Sequence, residues 1–265
     1  MSIALKAKEA HPLEPVFLLG APVHNEEALS FLKEKGLSLL DGDFPSLEES
    51  LSSLPEGSVV VFSAHGHPKR FEEIAAEKGF ALYDGTCSFV RKNQEEGLKR
   101  DGPIIYVGER GHAEKEAFLA NCPTAYFFDA ADGSGNWRDC PASPRLICQT
   151  TLSGQEVRRA VSEIGARFPS FRLSKERCTA TRLRQEEVFR LSKAADCAVI
   201  LGSKTSNNTN KLCEIASLHC PSFLCLDENE AKLLDLSGKD TVLVASGAST
   251  SSSTVEKTVA YLSSL

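Results

Sequence analysis

Eight short apolar runs constrain the fold of this chain more than any other feature. They are PVFLL (15–19), SVVVFSA (58–64), PIIYVG (103–108), TAYFF (124–128), PRLICQ (144–149), AADCAVILG (194–202), SFLCLD (222–227) and TVLVAS (241–246). Each has the length of a strand and is rich in β-branched or aromatic residues. Such runs suit strands buried on both faces. Amphipathic segments alternate with them: NEEALSFLKEKG (25–36), SGQEVRRAVSEIGARF (153–168), QEEVFRLSKAA (185–195) and STVEKTVAYLSSL (253–265). Ser153 followed by Glu156 predicts a capping box at the start of the second of these. Strands alternating with helices predict parallel sheets with crossover helices. A length of 265 residues suits one large domain or two to three small ones. No flexible linker stands out, and GSGNW (133–137) reads as a surface loop. The opening, MSIALKAKEA, reads as the second half of a helix, where an α/β unit normally leads with a strand.

Charge and cysteine usage narrow the function classes. The formal net charge is −6 and there is no long basic run, which argues against nucleic-acid binding. An anionic ligand would have to be held by local donors, not by a general positive field. The N-terminus has no apolar core, so it is neither a signal peptide nor a membrane span. The nine cysteines include no CxxC pair and no zinc-ribbon spacing. A reducing, cytoplasmic compartment with mostly reduced thiols follows as the expectation. Cys197, Cys213, Cys220 and Cys225 lie in or beside apolar runs and read as small core hydrophobes. Cys87 (YDGTCSFVRK) and Cys178 (KERCTATRLRQEE) lie outside the apolar strands. They read as thiolates facing a shared centre, which usually means metal.

Several strands end in small, polar, glycine-containing loops: FSAHGH, VGERGHAE, ILGSKTSNNTN and VASGAST. Ligands of open parallel sheets bind at the carboxyl ends of strands. His65, His112, Glu114, the 203–210 segment and Ser249 are therefore expected to line one cavity. Singly, each has an ordinary reading as well. His24 in PVHNEE is either a helix-start surface residue or a ligand contact. SKTSNNTN is either a polar βα loop or an anion cradle of hydroxyls and amides. Glu114 is either a surface carboxylate or a proton donor.

The ordered series VHN (23–25), SAHG (63–66), DGTC (84–87), GHAE (111–114), QTTLS (149–153), CTAT followed by RQE (178–186), GSKTSNNTN (202–210) and SGAS (246–249) resembles one family over nearly the whole chain. It is the LytB-type 4-hydroxy-3-methylbut-2-enyl diphosphate reductases. The resemblance implies three small parallel-sheet α/β domains in a trefoil around a central cluster site. We expect their bounds near 1–86, 87–177 and 178–265. It implies reductive removal of the substrate's 4-hydroxyl, giving isopentenyl and dimethylallyl diphosphates at the last step of the non-mevalonate pathway. It implies a 4Fe-4S cluster and a reduced electron donor such as ferredoxin or flavodoxin, with no nucleic acid or membrane partner. Residue by residue, Cys87 and Cys178 match two cluster thiolates, and Glu114 matches the proton donor. Thr150 matches a threonine that helps hold the substrate hydroxyl and the proton relay. His24, His65, His112, Ser206, Asn207, Asn208 and Ser249 match positions that bind the substrate, chiefly its diphosphate. The alternative is a cluster-free diphosphate-binding homologue without redox activity.

The chain departs from the family pattern at definite places. Ser88 replaces the proline of DxTCP. Glu109 and Ala113 replace a histidine and the proline of GHxxHPE. Asn207 replaces the second serine of the phosphate loop. The family's first cluster cysteine lies in a glycine-flanked segment of the form GFCxGV, which is absent here. The third cysteine ligand is accordingly expected upstream of Met1, with this form truncated or started at an internal methionine.

Overall fold

The apolar runs form all the central strands, and three of the edge strands, of three small parallel sheets flanked by helices. This is the arrangement in the computed structural model of the chain, which describes residues 2–20, 26–99, 101–174 and 178–265. The first sheet holds β1 (Val16–Leu19), β2 (Leu37–Leu40), β3 (Val59–Phe62) and β4 (Ala81–Asp84), in the order β2-β1-β3-β4. The second holds β5 (Ile104–Gly108), β6 (Tyr126–Asp129), β7 (Arg145–Cys148) and β8 (Arg172–Leu173), in the order β6-β5-β7-β8. The third holds β9 (Cys197–Leu201), β10 (Ser222–Cys225) and β11 (Val242–Ser246), in the order β10-β9-β11. Every pairing is parallel. The chain divides into two compact units. The larger carries the first two sheets, and the smaller carries the third, from Cys178 to Leu265.

The strand residues alternate between two apolar layers, as period-two geometry requires. In the first sheet, Val59 and Val61 face Ala4 and Ala7 of helix α1 (Ser2–Ala10) and Leu32 of α2 (Glu26–Glu34). Val60 and Phe62 face Leu47 and Leu51 of α3 (Phe44–Ser53) and Phe71 and Ile74 of α4 (Lys69–Glu77). Helix α5 (Ser88–Leu98) leads from the first sheet to the second. There Tyr106 and Ile147 pack on Phe118 of α6 (Ala113–Asn121). On the opposite face Ile105, Val107 and Leu146 pack on Val157, Ala160 and Ile164 of α7 (Gly154–Arg167). In the third sheet, Ala198 and Ile200 meet Val188 of α8 (Thr179–Leu191) and Leu212 of α9 (Asn207–Ser217). Its other face carries α10 (Glu228–Ala231) and α11 (Ser252–Leu262), through Ala231 and Val255. Each fully buried large aliphatic or aromatic side chain contributes roughly 1.5–3 kcal/mol of transfer free energy.

The fold agrees with the sequence reading in its central strands and in the edge strands β6, β10 and β11, and departs from it at three other edges. The runs missing from that reading are β2, β4 and β8, all at or next to sheet edges. Apart from the buried Leu37, their residues are half-buried or exposed, so they lack the continuous apolar signature. The Ser153–Glu156 capping box forms, with both reciprocal bonds in place. Helix α8 begins at Thr179, directly after Cys178, and not at 185. GSGNW is not simply a surface loop: Trp137 is buried against Phe128, and its indole Nε1 donates to the Gly133 carbonyl at 2.9 Å. The opening segment is helical from Ser2 to Ala10. Among the described residues no helix is long and apolar enough to cross a membrane.

Gly85 ties the first sheet to the Cys87 turn. Its N–H donates to the Phe62 carbonyl at 3.0 Å, and a Cβ placed there would stand 2.4 Å from that same oxygen. The Gly85→Ala protein should therefore lose about 1–3 kcal/mol of stability through overpacking. A urea unfolding curve measures the loss, and an unchanged midpoint would show that the turn yields freely.

Candidate active site

In each sheet the chain doubles back around one central pair or strand, and the polar loops leave from there. Strands β1 and β3, β5 and β7, and β9 and β11 are adjacent pairs whose outward connections run to opposite sides. Such a reversal opens a crevice at the carboxyl ends of the strands, where ligands of parallel sheets bind. His65 follows β3, His112 and Glu114 follow β5, and Thr150 follows β7. Ser206–Asn208 follow β9, and Ser249 follows β11. His24, which follows β1 in sequence, lies outside the described residues.

In the larger unit the strand-end residues meet one another. The His65 and His112 rings stand edge to face, 5.8 Å between centroids. His112 is the N-cap of α6, and its Nδ1 accepts from the Glu114 N–H at 3.1 Å. In the neutral ring this bond puts the proton on Nε2, so that edge of His112 is a donor. Glu114 is only 2% exposed. The Thr150 hydroxyl donates to its Oε2 at 2.7 Å, and the Thr150 N–H reaches both carboxyl oxygens at 3.1 Å. The Asn93 amide reaches Oε1 at 3.4 Å. Burial pushes the carboxyl pKa up from 4.5 to about 7, against the pull of hydrogen bonds from Thr150, Asn93 and Tyr106. The fully buried Tyr106 hydroxyl lies beside the same carboxyl, and burial raises its own pKa far above the usual phenol range. The site thus holds a carboxylic acid that keeps or releases its proton near neutral pH.

Gln149 closes the back of this site. Its Oε1 accepts from the Glu109 N–H at 2.9 Å, and its Nε2 donates to Glu109 Oε2 at 3.0 Å and to Thr151 Oγ1 at 2.8 Å. The glutamate that stands in place of a histidine at 109 therefore links the β5 and β7 loops through Gln149. Gly108 permits the close approach, since a Cβ there would lie 2.7 Å from the Tyr106 ring and 3.0 Å from Gln149 Oε1.

In the smaller unit the β9 loop builds a donor-rich helix start. Ser206 caps α9 by accepting from the Thr209 N–H at 3.4 Å, with Asn207 and Asn208 in the first turn. Asn208 is buried, yet neither its amide nitrogen nor its amide oxygen has a partner among the described residues. Buried polar groups are nearly always satisfied, so an amide without a partner among the described residues stands out as a candidate contact. Thr209, fully buried, fills the space left by Gly202 after β9 and Gly247 after β11. A Cβ on either glycine would collide with its Oγ1, at 2.7 and 2.3 Å. This packing sets the β9 loop against the loop bearing Ser249.

The cysteines separate by environment. Cys122, Cys140, Cys148, Cys197, Cys220 and Cys225 are buried, and Cys213 is half-buried against the α8–β9 core. Burial raises the thiol pKa of Cys122, Cys140, Cys197, Cys213 and Cys225 and keeps them neutral. Cys87 and Cys178 are half-buried, and each is the N-cap of a helix with no side-chain capping bond. Cys178 Sγ accepts from the Thr181 hydroxyl at 3.2 Å. Sulfurs beside helix N-terminal dipoles and hydroxyl donors suit thiolate ligation of iron and sulfide. Among the described residues no three His, Cys, Asp or Glu side chains are grouped around one metal position. In donor type, though not in number, Cys87 and Cys178 fit an iron–sulfur cluster.

Asn93 escaped the sequence reading. The signal was present: the buried positions of α5 are Val90, Asn93 and Gly97, at helical spacing, and one of them is an amide.

Fold and site define an α/β protein with polar loops at strand ends, a buried protonatable carboxyl and two helix-capping thiols. The family model described as LytB protein matches residues 1–263. 4-Hydroxy-3-methylbut-2-enyl diphosphate reductases of Bacillus cytotoxicus and Bacillus thuringiensis are 32% identical over 255 residues. The match covers 94% of this chain and 80% and 79% of theirs. A solved (E)-4-hydroxy-3-methyl-but-2-enyl diphosphate reductase, described as the terminal enzyme of the non-mevalonate pathway, has a TM-score of 0.64 at 25% identity, covering 100% of this chain and 94% of its own. The fold is also that of the E-1-hydroxy-2-methyl-but-2-enyl-4-diphosphate reductase from Plasmodium falciparum, with a TM-score of 0.84 at 24% identity, over 99% of this chain and 83% of that one. The chain belongs to the LytB protein family.

The raised Glu114 pKa links stability to pH. A carboxyl whose folded value lies above its unfolded one stabilises fully below pH 4.5, and that contribution disappears as pH rises through about 7. Relative to Glu114→Gln, the native protein should lose stability across that window, by at most about 3 kcal/mol. Urea midpoints of both proteins measured from pH 4 to 8 test this, and parallel profiles would count against a raised pKa.

Proposed function

We propose that this protein is a 4-hydroxy-3-methylbut-2-enyl diphosphate reductase. The substrate takes up two electrons and two protons, and its C4–O bond breaks. The hydroxyl departs as water with one proton, and the allylic carbon frame takes the other, giving isopentenyl and dimethylallyl diphosphates. The observation that carries this reading is Glu114, a buried carboxyl poised near neutrality with a threonine hydroxyl on Oε2. A leaving hydroxide needs a proton from a donor kept out of bulk water, and Glu114 meets that need. Thr150, bonded to Glu114 Oε2, would orient the substrate hydroxyl and pass the proton. His24, His65, His112, Ser206, Asn207, Asn208 and Ser249 bind the substrate, chiefly its diphosphate, with neutral or single-charge donors.

Cys87 and Cys178 would hold a 4Fe-4S cluster in this reading, with a further ligand to complete the set. When bound, such a cluster supplies the two electrons and an iron open to a substrate oxygen as a Lewis acid. A reduced ferredoxin or flavodoxin is the proposed electron source, in the cytoplasm. Protein purified without air should be brown, contain iron and turn over substrate with a chemical reductant. Colourless, iron-free protein that still binds the diphosphate would instead support a cluster-free binding protein.

Two substitutions separate the roles. Glu114→Gln should keep diphosphate affinity and lower turnover by about 10²–10⁴-fold, the usual cost of a missing general acid. Turnover unchanged in a protein with equal iron content would move the proton donor elsewhere. Asn208→Ala should leave stability nearly unchanged, because the amide has no partner among the described residues. It should weaken binding of the product diphosphates by roughly 1.5–3 kcal/mol, the worth of a hydrogen bond to a charged group. Calorimetry with isopentenyl diphosphate measures this, and native affinity would remove Asn208 from the diphosphate site.

A further inference from the structure

Asn93 lies on α5, six positions past the capping Cys87, and is 1% exposed. Its Nδ2 donates to the Cys148 carbonyl at 2.9 Å and to Glu114 Oε1 at 3.4 Å, while its Oδ1 has no partner. The Cys148 carbonyl can only accept, so it fixes which end of the amide faces inward. Turning the amide over would set two oxygens against each other and strand the NH₂ group. The second Nδ2 proton therefore points at Oε1, and an oxygen already accepting hydrogen bonds there is a poor place for the acid's own proton. Oε2 has the Thr150 hydroxyl at 2.7 Å, a group that can accept as well as donate.

We propose that Asn93 is a positioning residue: its amide holds Oε1 of Glu114 as an acceptor and so keeps the carboxyl proton on Oε2, the oxygen that faces Thr150. The neutral acid then donates from Oε2 to Thr150 Oγ1, and the threonine hydrogen turns outward to the next acceptor. One amide thus orients the acid and ties it to β7 just before the Gln149–Thr150 turn. The inference rests on Glu114 being the proton donor. The other titratable groups around the carboxyl are Tyr106 on β5, Cys148 on β7 and His112 at the start of α6, with His65 against His112 and Glu109 on the far side of Gln149.

Replacing the amide with a side chain of similar branching removes a donor to the anion and leaves the burial. The anion is then less stable, so the carboxyl should protonate at higher pH. In Asn93→Leu the midpoint of the Glu114 carboxylic-acid C=O infrared band should move up by about one pH unit, taking the bond as a weak one to a charged group. Subtraction of the Glu114→Gln spectrum isolates this band, and the measurement needs neither cluster nor substrate. The alkaline limb of the turnover profile should shift by the same amount, with a lower plateau, while affinity for inorganic pyrophosphate stays native. A merely structural role would lower melting temperature and activity without moving the midpoint, and that result overturns the proposal. If the leucine protein does not fold, Asn93→Val is read by the same band. Should Glu114→Gln keep full turnover while the band still shifts, the proton-donor reading fails and the hydrogen-bond assignment stands.

Discussion

The strand-order reversal in each sheet is the constraint on which the site depends. In each sheet the first and third strands in sequence are neighbours, and the second lies outside the first. Right-handed crossovers then place the connecting helices on opposite faces, and the loops that leave the neighbouring pair have to diverge. The divergence exposes backbone donors and short polar side chains at the strand ends without breaking the apolar layers below. The layers themselves consist of fully buried strands such as β3, β5, β7 and β9. Residues at their carboxyl ends are therefore mounted on the stiffest part of each sheet. Preorganisation of this kind is what a site with a misplaced-atom penalty requires.

The buried carboxyl at 114 is the costliest group in that scheme. Removing an ionised carboxylate from water is expensive unless hydrogen bonds replace the lost hydration. Thr150 and Asn93 supply donors, the start of α6 supplies a favourable dipole, and their balance against burial leaves the group near neutrality. Neither full compensation nor none would serve: a strongly stabilised carboxylate holds no proton at pH 7, and an uncompensated acid would not release one. Close packing is needed to hold that balance. Gly97 allows α5 to approach Phe118 and Cys122 of α6, where a Cβ would lie 2.7 Å from both. That approach brings Asn93 within reach of Glu114. The neighbouring Arg145, buried between Glu96 and Asp101, pins the end of α5 to β7.

Most central strands were legible because burial on both faces writes a continuous apolar run into the sequence. VVVF at β3 and CAVIL at β9 can hardly be read otherwise. LSLL at β2 and ALYD at β4 were not legible, because these edge strands are short, bury only one of their eight residues fully and carry no continuous apolar run. Trp137 misled through its neighbours: two glycines and a serine announce a loop, and only the tertiary fold shows its indole turned into the second core. At the site, Glu114, Thr150 and the 202–210 loop stood out by their motifs. Asn93 did not, because its meaning lies in a contact across 21 residues to Glu114 and 55 to Cys148. A sequence records which residues share a helix face, but not what that face meets.

The choice of donors at the strand ends follows from the charge balance. A net charge of −6 gives no long-range attraction for a diphosphate. Among the described residues, Lys204 of the β9 loop lies 3.5 Å from Glu230 and Lys211 of α9 lies 3.2 Å from Glu214. The proposed diphosphate binding would then rest on short-range geometry, which favours groups with few rotatable bonds. Serine and asparagine lose little entropy on ordering, whereas each lysine held in one geometry costs up to about 2 kcal/mol. A helix start adds oriented N–H groups at no side-chain cost. Replacing serine by asparagine at 207 keeps this logic, since an amide still offers donors on a short stem. The proposed diphosphate site would also account for the Asn208 amide having no partner among the described residues. A group satisfied internally would have to break a bond to bind, while an unsatisfied one would bring its full hydrogen-bonding capacity to the proposed ligand.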